Sequence, residues 1–267
     1  MNAQSTAVSL TRLSQGQLNL LETCPRKFQY IYVDQCGSPV SPEQQERLTW
    51  GSYFHLLMQQ RELGLPIDSL LKDNPQLNHW VTALMDAAPE VFARDAQTFR
   101  DAEHCRTVTM QGYLLTVIYD LFIEDEKSAQ ILDWKTYPLP TNRHRLAKDW
   151  QTRLYRYVLA DTSDYLLEQI SMTYWFVKSQ PRPQCITFAY DRVQHEKTRA
   201  DLTELLTRLS GWLHRYQNDH IPFPQVPISS GKCGNCSFAV RCQRTGESEV
   251  SQDNLLPNLT DIEEVSI

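Results

Sequence analysis

The sequence predicts an α/β protein with one domain, in which a mixed β-sheet is flanked by helices. The first observation is the order of the patterns: three helical segments, three strand-like runs, a helix, two more strand-like runs and a long helix. This succession is typical of a sheet covered by helices. The second is the length, because 267 residues suffice for one large core. We expect the domain to occupy residues 10–244 and an acidic tail to occupy residues 245–267.

The helical segments carry start signals. The first follows Ser14, which forms a capping-box pattern with Gln17 ahead of the apolar run LNLL. The second is TWGSYFHLLMQQREL, and the third begins at Asn74, with Pro75 at the first helical position. Later, AKDWQTRLYRYVLAD and EKTRADLTELLTRLSGWLHRYQND return to a helical period. These segments supply the predicted outer layers.

Five apolar runs have the composition of strands: HCRTVTMQ, YLLTVIYDLFIED, AQILDWKTY, EQISMTYWFVKS and QCITFAYD. The polar stretch EDEKS between the second and third is typical of a hairpin turn, which predicts that these two strands are antiparallel neighbours. The final segment, IPFPQVPISSGKCGNCSFAVRC, is rich in Pro and Gly and is predicted to be a loop.

The composition argues against a membrane-spanning protein and against a secreted disulfide scaffold. No apolar run reaches the ~20 residues needed to cross a bilayer, and the first residues lack a signal-peptide pattern. Seven irregularly spaced cysteines do not form a disulfide framework. We therefore expect a cytoplasmic protein.

The net charge of −6 is concentrated in the tail, where all six charged residues after Arg244 are acidic. The rest of the chain is neutral and can still carry a basic groove. The tail itself is predicted to be disordered or to act as a docking segment.

Two carboxylates end neighbouring predicted strands. Asp120 ends LLTVIYD and Asp133 ends AQILD, so pairing of these runs would bring both to one edge of the sheet. Close carboxylates repel unless a cation lies between them, and hard divalent ions prefer oxygen ligands. Lys135 shares a strand face with Asp133 and could stabilise charge in a transition state. The alternative is that both aspartates only begin loops and that Lys135 forms a surface ion pair.

With its neighbours in the chain, this pattern resembles the PD-(D/E)XK nuclease superfamily. Asp120 and the Asp133–Lys135 pair match its catalytic core. GSYFH, which ends at His55, and QTRLY, over 151–155, match in order the helical motifs of the RecB-like branch. The resemblance implies a restriction-endonuclease-like fold with five catalytic residues: Asp120, Asp133, Lys135, Gln151 and Tyr155. It also implies Mg²⁺ or Mn²⁺ held by His55, Asp120 and Asp133.

Some of these matches have ordinary structural alternatives. His55 by itself also fits a buried core histidine, and Gln151 and Tyr155 also fit ordinary helix packing. The chain departs from many relatives just before Asp120, where VIYD contains neither the usual glycine nor a basic residue. The second acid is Asp133 rather than Glu, which the family tolerates.

Four cysteines form a split set: Cys24, Cys233, Cys236 and Cys242. Their thiolates could hold zinc or an iron–sulfur cluster, and a disulfide is less favoured inside cells. One cysteine before the nuclease motifs and three after them, with x2 and x5 spacing, resemble the RecB-like branch that includes AddB and the CRISPR-associated adaptation nuclease. The resemblance implies a 4Fe–4S cluster that clamps the first helix and the C-terminal loop over the core, with zinc and free thiols as alternatives.

Basic residues cluster in sequence near the predicted site and could contact DNA phosphates: Arg26, Lys27, Arg143, Arg145, Lys148 and Arg153. Four aromatic residues lie among them and could stack on unpaired bases: Tyr30, Tyr32, Tyr137 and Trp150. The alternative is that the basic residues form solvated faces and the aromatic residues belong to the core.

The sequence therefore predicts a metal-dependent DNA nuclease, an exonuclease acting on single-stranded or end-containing DNA in repair, recombination or DNA processing. It has no Walker phosphate-binding motif, so a helicase is an expected partner rather than part of this chain, as is a repair or adaptation protein. Two alternatives are a catalytically weak module that holds DNA ends or a helicase, and a CRISPR spacer-adaptation nuclease.

Overall fold

The computed structural model describes residues 11–37, 42–140 and 142–244. Within them the chain forms a mixed six-stranded sheet with helices on both faces, which confirms the predicted fold class. No helix in these ranges is long and apolar enough to span a bilayer. The predicted acidic tail, residues 245–267, lies outside the described residues.

The strands are β1 (Thr11–Leu13), β2 (Phe99–Met110), β3 (Tyr113–Glu124), β4 (Ala129–Lys135), β5 (Ile170–Phe176) and β6 (Gln184–Ala189). The helices are α1 (Gln15–Thr23), α2 (Pro25–Phe28), α3 (Pro42–Glu62), α4 (Asp68–Lys72), α5 (Pro75–Ala87), α6 (Pro89–Phe92), α7 (Arg143–Lys148), α8 (Trp150–Asp161) and α9 (Arg192–Asp219).

Strand β3 is the centre of the sheet and contacts three other strands. β2 pairs antiparallel with β3 from Tyr113 to Glu124, and so occupies one edge of it. β1 and β4 share the other edge: β1 lies parallel to Tyr113–Leu115, and β4 lies antiparallel to Leu121–Glu124. Residues 116–120 of β3 therefore have no strand partner on that edge within the described chain. Beyond β4 the sheet continues with β5, which is parallel to β4, and β6, which is antiparallel to β5.

Two hydrophobic clusters cover the faces of the sheet. The larger one joins the sheet to α1, α8 and α9, and the smaller one joins it to α3 and α5. Tyr119 and Phe122 of β3 belong to the larger cluster, whereas Leu121 belongs to the smaller one. Regular alternation would place Tyr119 and Leu121 on the same face. The pattern in which successive β3 side chains point to opposite faces of the sheet therefore shifts by one residue at Asp120. Asp120 is also the last residue of the stretch 116–120, which lacks a partner on that edge in the described chain.

Two of the predicted helices are each divided in the structure. The third predicted helix breaks at Ala88, because the residue before a proline disfavours helical backbone. The helix after β4 breaks at Asp149, whose side chain accepts the Gln151 N–H at 2.8 Å and caps α8. The predicted capping box is seen at α1, where the Ser14 N–H donates to the Gln17 side chain at 2.8 Å.

Candidate active site

A histidine on α3 contacts both strands of the central hairpin. His55 Nδ1 lies 3.2 Å from Asp120 Oδ1, and His55 Nε2 lies 3.0 Å from the Trp134 carbonyl oxygen. The second Asp120 oxygen accepts the Trp134 N–H at 2.6 Å. The backbone pairing of β3 with β4 ends at Leu121 and Leu132. Beyond that pair, the Asp120 carboxylate takes the place of a backbone acceptor. The backbone pairing of the two strands therefore ends beside Asp120, one of the predicted site residues.

The hydrogen bonds of His55 determine which of its nitrogen atoms can bind a cation. A carbonyl oxygen can only accept, so Nε2 carries the proton that is donated to Trp134. In the neutral ring, Nδ1 then presents its lone pair to a carboxylate oxygen of Asp120. Two such atoms face each other favourably when a cation or a proton lies between them. Metal-binding histidines usually donate their other N–H to a backbone carbonyl, as His55 does, and the donor set therefore fits a divalent cation.

A third potential ligand comes from β2. Glu103 completes a group with His55 and Asp120 in which one ligand atom from each side chain lies within 4.8 Å of the others. Among the described residues, this is the one such group of His, Cys, Asp and Glu side chains. The sequence analysis missed Glu103 because the predicted strand began one residue after it. Extending the strand back by one residue would have placed Glu103 opposite Asp120.

Asp133, Lys135 and Gln151 form a second polar group, which is buried. Lys135 Nζ lies 2.8 Å from Asp133 Oδ1, and the Gln151 side-chain N–H donates to Asp133 Oδ2 at 2.7 Å. Only 1% of the Asp133 side chain and 8% of the Lys135 side chain are exposed. Asp133 does not belong to the group of ligand atoms around His55. Its predicted role as a metal ligand stays a prediction.

Helix α8 presents its N-terminal turn to Asp133. Gln151 lies in that turn, and the positive end of a helix favours a nearby carboxylate. Burial, and next the nearby Asp133 carboxylate, raise the pKa of Tyr174, so its hydroxyl keeps its proton and contacts Thr152 at 2.8 Å. Tyr155, one turn after Gln151, is buried with its ring 5.3 Å from that of Tyr119. Its predicted catalytic role stays a prediction.

A family model of the PD-(D/E)XK nuclease superfamily matches residues 12–243, which is most of the chain. The chain belongs to the PD-(D/E)XK nuclease superfamily. It is therefore a nuclease, that is, a phosphodiester hydrolase. Members of the superfamily typically use Mg²⁺ or Mn²⁺, which agrees with the ligand group around His55.

One solved structure shares the fold of this chain at low sequence identity. A protein from Eubacterium rectale, described as a proposed exonuclease, superposes with a TM-score of 0.56 at 12% identity, covering 97% of this chain and 100% of that one. A second structure, SSO0001, gives a TM-score of 0.39 at 14% identity, covering 89% of this chain and 88% of that one, and supports no inference. No curated protein matches the sequence.

Gly51 of this PD-(D/E)XK nuclease lies one turn before His55 on α3. A Cβ atom added at Gly51 would meet the Thr136 side chain at 3.5 Å, an ordinary van der Waals distance. The neighbour of Gly51 is therefore a side chain of the segment that follows β4.

The four cysteines of the predicted cluster lie at the junction of the N-terminal helices and the C-terminal loop. Cys24 stands between α1 and α2, and the other three lie in the loop after α9. All four are partly buried and none forms a disulfide. Burial raises the pKa of the Cys242 thiol, and the neighbouring Cys236 and Cys24 raise it further.

The predicted DNA-contacting residues of the nuclease fall into two sets. Arg143, Arg145 and Lys148 are exposed on α7, which follows the Asp133–Lys135 strand. Arg26, Lys27 and Arg153 are partly buried. Arg26 donates to the Phe223 carbonyl at 2.6 Å, and Arg153 pairs with Asp201 at 2.5 Å. The exposed set is therefore the better placed for phosphates.

The four aromatic residues expected to stack on bases differ in exposure. Trp150 is fully buried and donates its indole N–H to Glu22 at 3.0 Å, and Tyr30 is 5% exposed. Stacking by these two was a wrong expectation, because their rings belong to the protein interior. Tyr32 and Tyr137 remain accessible to solvent.

Proposed function

We propose that this protein is a metal-dependent deoxyribonuclease of the RecB-like branch, and an exonuclease on single-stranded or end-containing DNA. One observation carries the proposal: His55 Nδ1 faces Asp120 at 3.2 Å while its other ring nitrogen is bound to a backbone carbonyl, in a chain of a nuclease superfamily. This arrangement is typical of a histidine that binds a metal. Carboxylate oxygens with one imidazole suit Mg²⁺ and Mn²⁺.

Each polar side chain of the site has a separate role. His55, Asp120 and Asp133 would hold the cation, as the family pattern implies. A divalent cation held by these residues would supply Lewis-acid activation of the phosphodiester and of the attacking water. Lys135 supplies positive charge where negative charge develops on the phosphate. Asp133 holds the Lys135 ammonium at 2.8 Å, and Gln151 holds Asp133 at 2.7 Å, so the pair is oriented before substrate arrives.

Helix α8 positions this pair. Asp149 caps the helix, and Asn19 of α1 donates to Asp149 at 3.1 Å. Tyr155 packs on Tyr119 of β3 one turn further along. We assign Gln151 and Tyr155 to positioning, because Gln151 binds the Asp133 side chain and Tyr155 packs on Tyr119 of β3.

The depth of the site favours DNA ends as substrate. Asp133 and Lys135 are nearly inaccessible, and His55 is 23% exposed. A flexible single strand can bring a phosphate close to such sheltered side chains more readily than the interior of a stiff duplex can. The exposed Arg143, Arg145 and Lys148 on α7 would contact the phosphates of that strand.

Cleavage of DNA with and without ends tests the proposal. Labelled linear single strands and closed single-stranded circles of the same sequence are incubated with protein and Mn²⁺, with EDTA as the metal-free control. We expect loss of the linear strands, survival of the circles, and no cleavage by Asp120→Asn. Equal cleavage of circles would indicate an endonuclease. Binding of ends without any cleavage would support the catalytically weak module instead.

We further propose that Cys24, Cys233, Cys236 and Cys242 bind a 4Fe–4S cluster. Cys24 lies between the first two helices and the other three cysteines lie in the loop after α9, so one cofactor would join both ends of the described chain. The x2 and x5 spacing and the resemblance to the AddB-like branch support a 4Fe–4S cluster over zinc.

The proposal extends to the cellular location and the partner of the protein. We place the protein in the cytoplasm, where thiolates stay reduced and available to a cluster. The partner would be a helicase, or a repair or adaptation protein, because the described chain offers a nuclease and the sequence offers no motor motif.

A further inference from the structure

We infer that Glu103, on β2, is a protein ligand of the nuclease metal in addition to His55, Asp120 and Asp133, the ligands that the family pattern implies. The inference deepens the proposed function and rests on its metal dependence. The family pattern draws ligands from the α3 histidine and from β3 and β4. Glu103 belongs to none of these elements.

Ligand atoms from three elements converge on one point. His55 comes from α3, Glu103 from β2 and Asp120 from β3, and yet one ligand atom from each lies within 4.8 Å of the other two. The hairpin of β2 and β3 and the more distant helix α3 thus bring one imidazole and two carboxylates to one point. All three residues are partly buried, so water screens the two carboxylates less than it would at the surface. Negative charge concentrated in this way favours a divalent cation.

The register of β2 and β3 places Glu103 beside Asp120. Ala102 pairs with Leu121 and His104 pairs with Tyr119, which puts Glu103 level with Asp120. Between these pairs the ladder is interrupted, and Glu103 has a φ of +54°. His104 stacks on Phe122, with ring centroids 4.8 Å apart, toward the face that α8 covers. At this backbone conformation regular alternation does not fix the direction of Glu103, but its carboxylate lies within 4.8 Å of ligand atoms of Asp120 and of His55 on α3.

The contacts of the neighbouring carboxylates also support Glu103 as a ligand. Asp133 is bound by Lys135 and Gln151, at 2.8 Å and 2.7 Å, and lies outside the group around His55. Glu103 supplies the second carboxylate that this group contains. Two carboxylates and one imidazole form a ligand set that suits Mn²⁺ as well as Mg²⁺.

Binding of Mn²⁺ to the full chain in the absence of DNA tests the inference. Affinity is measured by calorimetry, and the bound ion is observed by electron paramagnetic resonance. Glu103→Gln removes the charge and keeps the shape of the side chain. Glu126→Gln makes the same change at an exposed position in the β3–β4 turn and serves as the matched control. Unfolding in EDTA shows whether each variant folds.

We expect Glu103→Gln to weaken Mn²⁺ binding by roughly tenfold or more, to alter the resonance spectrum, and to fold normally. Glu126→Gln should bind as the unmodified protein does, and Glu103→Asp should give an intermediate affinity. Unchanged Mn²⁺ binding by Glu103→Gln, together with loss of binding in Asp120→Asn, would overturn the inference and leave the proposed function standing. Absence of Mn²⁺ binding in the unmodified protein would overturn both.

Discussion

The backbone of Glu103 is in the left-handed region, at a φ of +54°, inside a twelve-residue strand. A non-glycine residue in such a conformation costs ~1–3 kcal/mol. Neither composition nor periodicity signals this conformation, because it depends on the interrupted pairing with β3. The sequence predicted Asp120 and Asp133 as site residues because each ends an apolar run, whereas Glu103 lies just before a predicted strand.

Glu103→Gly should therefore stabilise the metal-free protein. Glycine adopts positive φ without steric cost, so we expect the free energy of unfolding in EDTA to rise by ~1 kcal/mol. The measurement is urea denaturation, with Glu103→Gln as the control that keeps the backbone cost. Lower stability of the glycine variant would show that side-chain contacts of Glu103 outweigh its backbone cost. With Mn²⁺ added, the order should reverse between the glycine variant and the unmodified protein.

Asp133 and Lys135 should behave as a coupled pair. Removing one partner leaves a buried charge, so Asp133→Asn and Lys135→Met should each destabilise the protein by about 3–5 kcal/mol. The double variant should cost clearly less than the sum of the two, because no unpaired charge remains. Denaturation of all four proteins gives the coupling energy. Additive losses would mean that the 2.8 Å contact contributes little in solution.

At the scale of elements, the sequence predicted the hairpin of β3 and β4, the two later strands and the long helix α9. These have long apolar runs and clear turn or cap signals. The sequence did not predict β1, because a strand of three residues is too short to show an alternating pattern. β1 is defined by its pairing with β3. The prediction began the helix before β5 at Ala147 and so missed most of α7 and the break at Asp149, since that break depends on a cap that Asn19 supports from α1. Boundaries that depend on distant contacts were therefore the ones the sequence left undetermined.

Helix α3 offers a test that separates stability from function. Glycine inside a helix costs roughly 0.5–1 kcal/mol relative to alanine, and a Cβ at Gly51 would meet Thr136 at an ordinary distance. Gly51→Ala should therefore raise the free energy of unfolding by about that amount. If DNA passes over this turn of α3, the variant should also raise KM for DNA.

Gly211→Ala in α9 is the matched control, since no atom lies within 4 Å of the Cβ position there. It should stabilise the protein by a similar amount and leave cleavage unchanged. A Gly51→Ala variant that is destabilised would mean that Thr136 cannot yield to the new methyl group. An unchanged KM would mean that DNA takes another path.

At the scale of the whole molecule, the N-terminal helices and the C-terminal loop hold each other in place. Phe223 accepts from Arg26 at 2.6 Å and donates its N–H to Gln29 at 2.8 Å. Its ring stacks on Phe28, with centroids 6.4 Å apart. Lys232 donates to the Thr23 carbonyl at 3.4 Å, beside Cys24. A cofactor held by the four cysteines would add a covalent connection to this contact.

Anaerobically purified protein should be brown and contain iron and sulfide. Cys24→Ser should bleach it and expose the loop over 221–244 to proteolysis, because a ligand set drawn from distant segments couples metal binding to folding. Cys105→Ser is the control and should keep the colour, since Cys105 is exposed on β2. Stoichiometric zinc without iron would retain the connection and reject the cluster. Colourless, metal-free protein would reject both.

The contact between α2 and the C-terminal loop has a consequence for how the protein is made. The hydrogen bond from Arg26 to Phe223 spans 197 positions. At ~5–20 residues per second, a ribosome needs roughly 10–40 s to synthesise the stretch between them. During that interval Phe28 has emerged and lacks the ring that later stacks on it. The helices made first are thus among the last to reach their final environment, and a pause in translation before Phe223 prolongs the exposure of their apolar side chains.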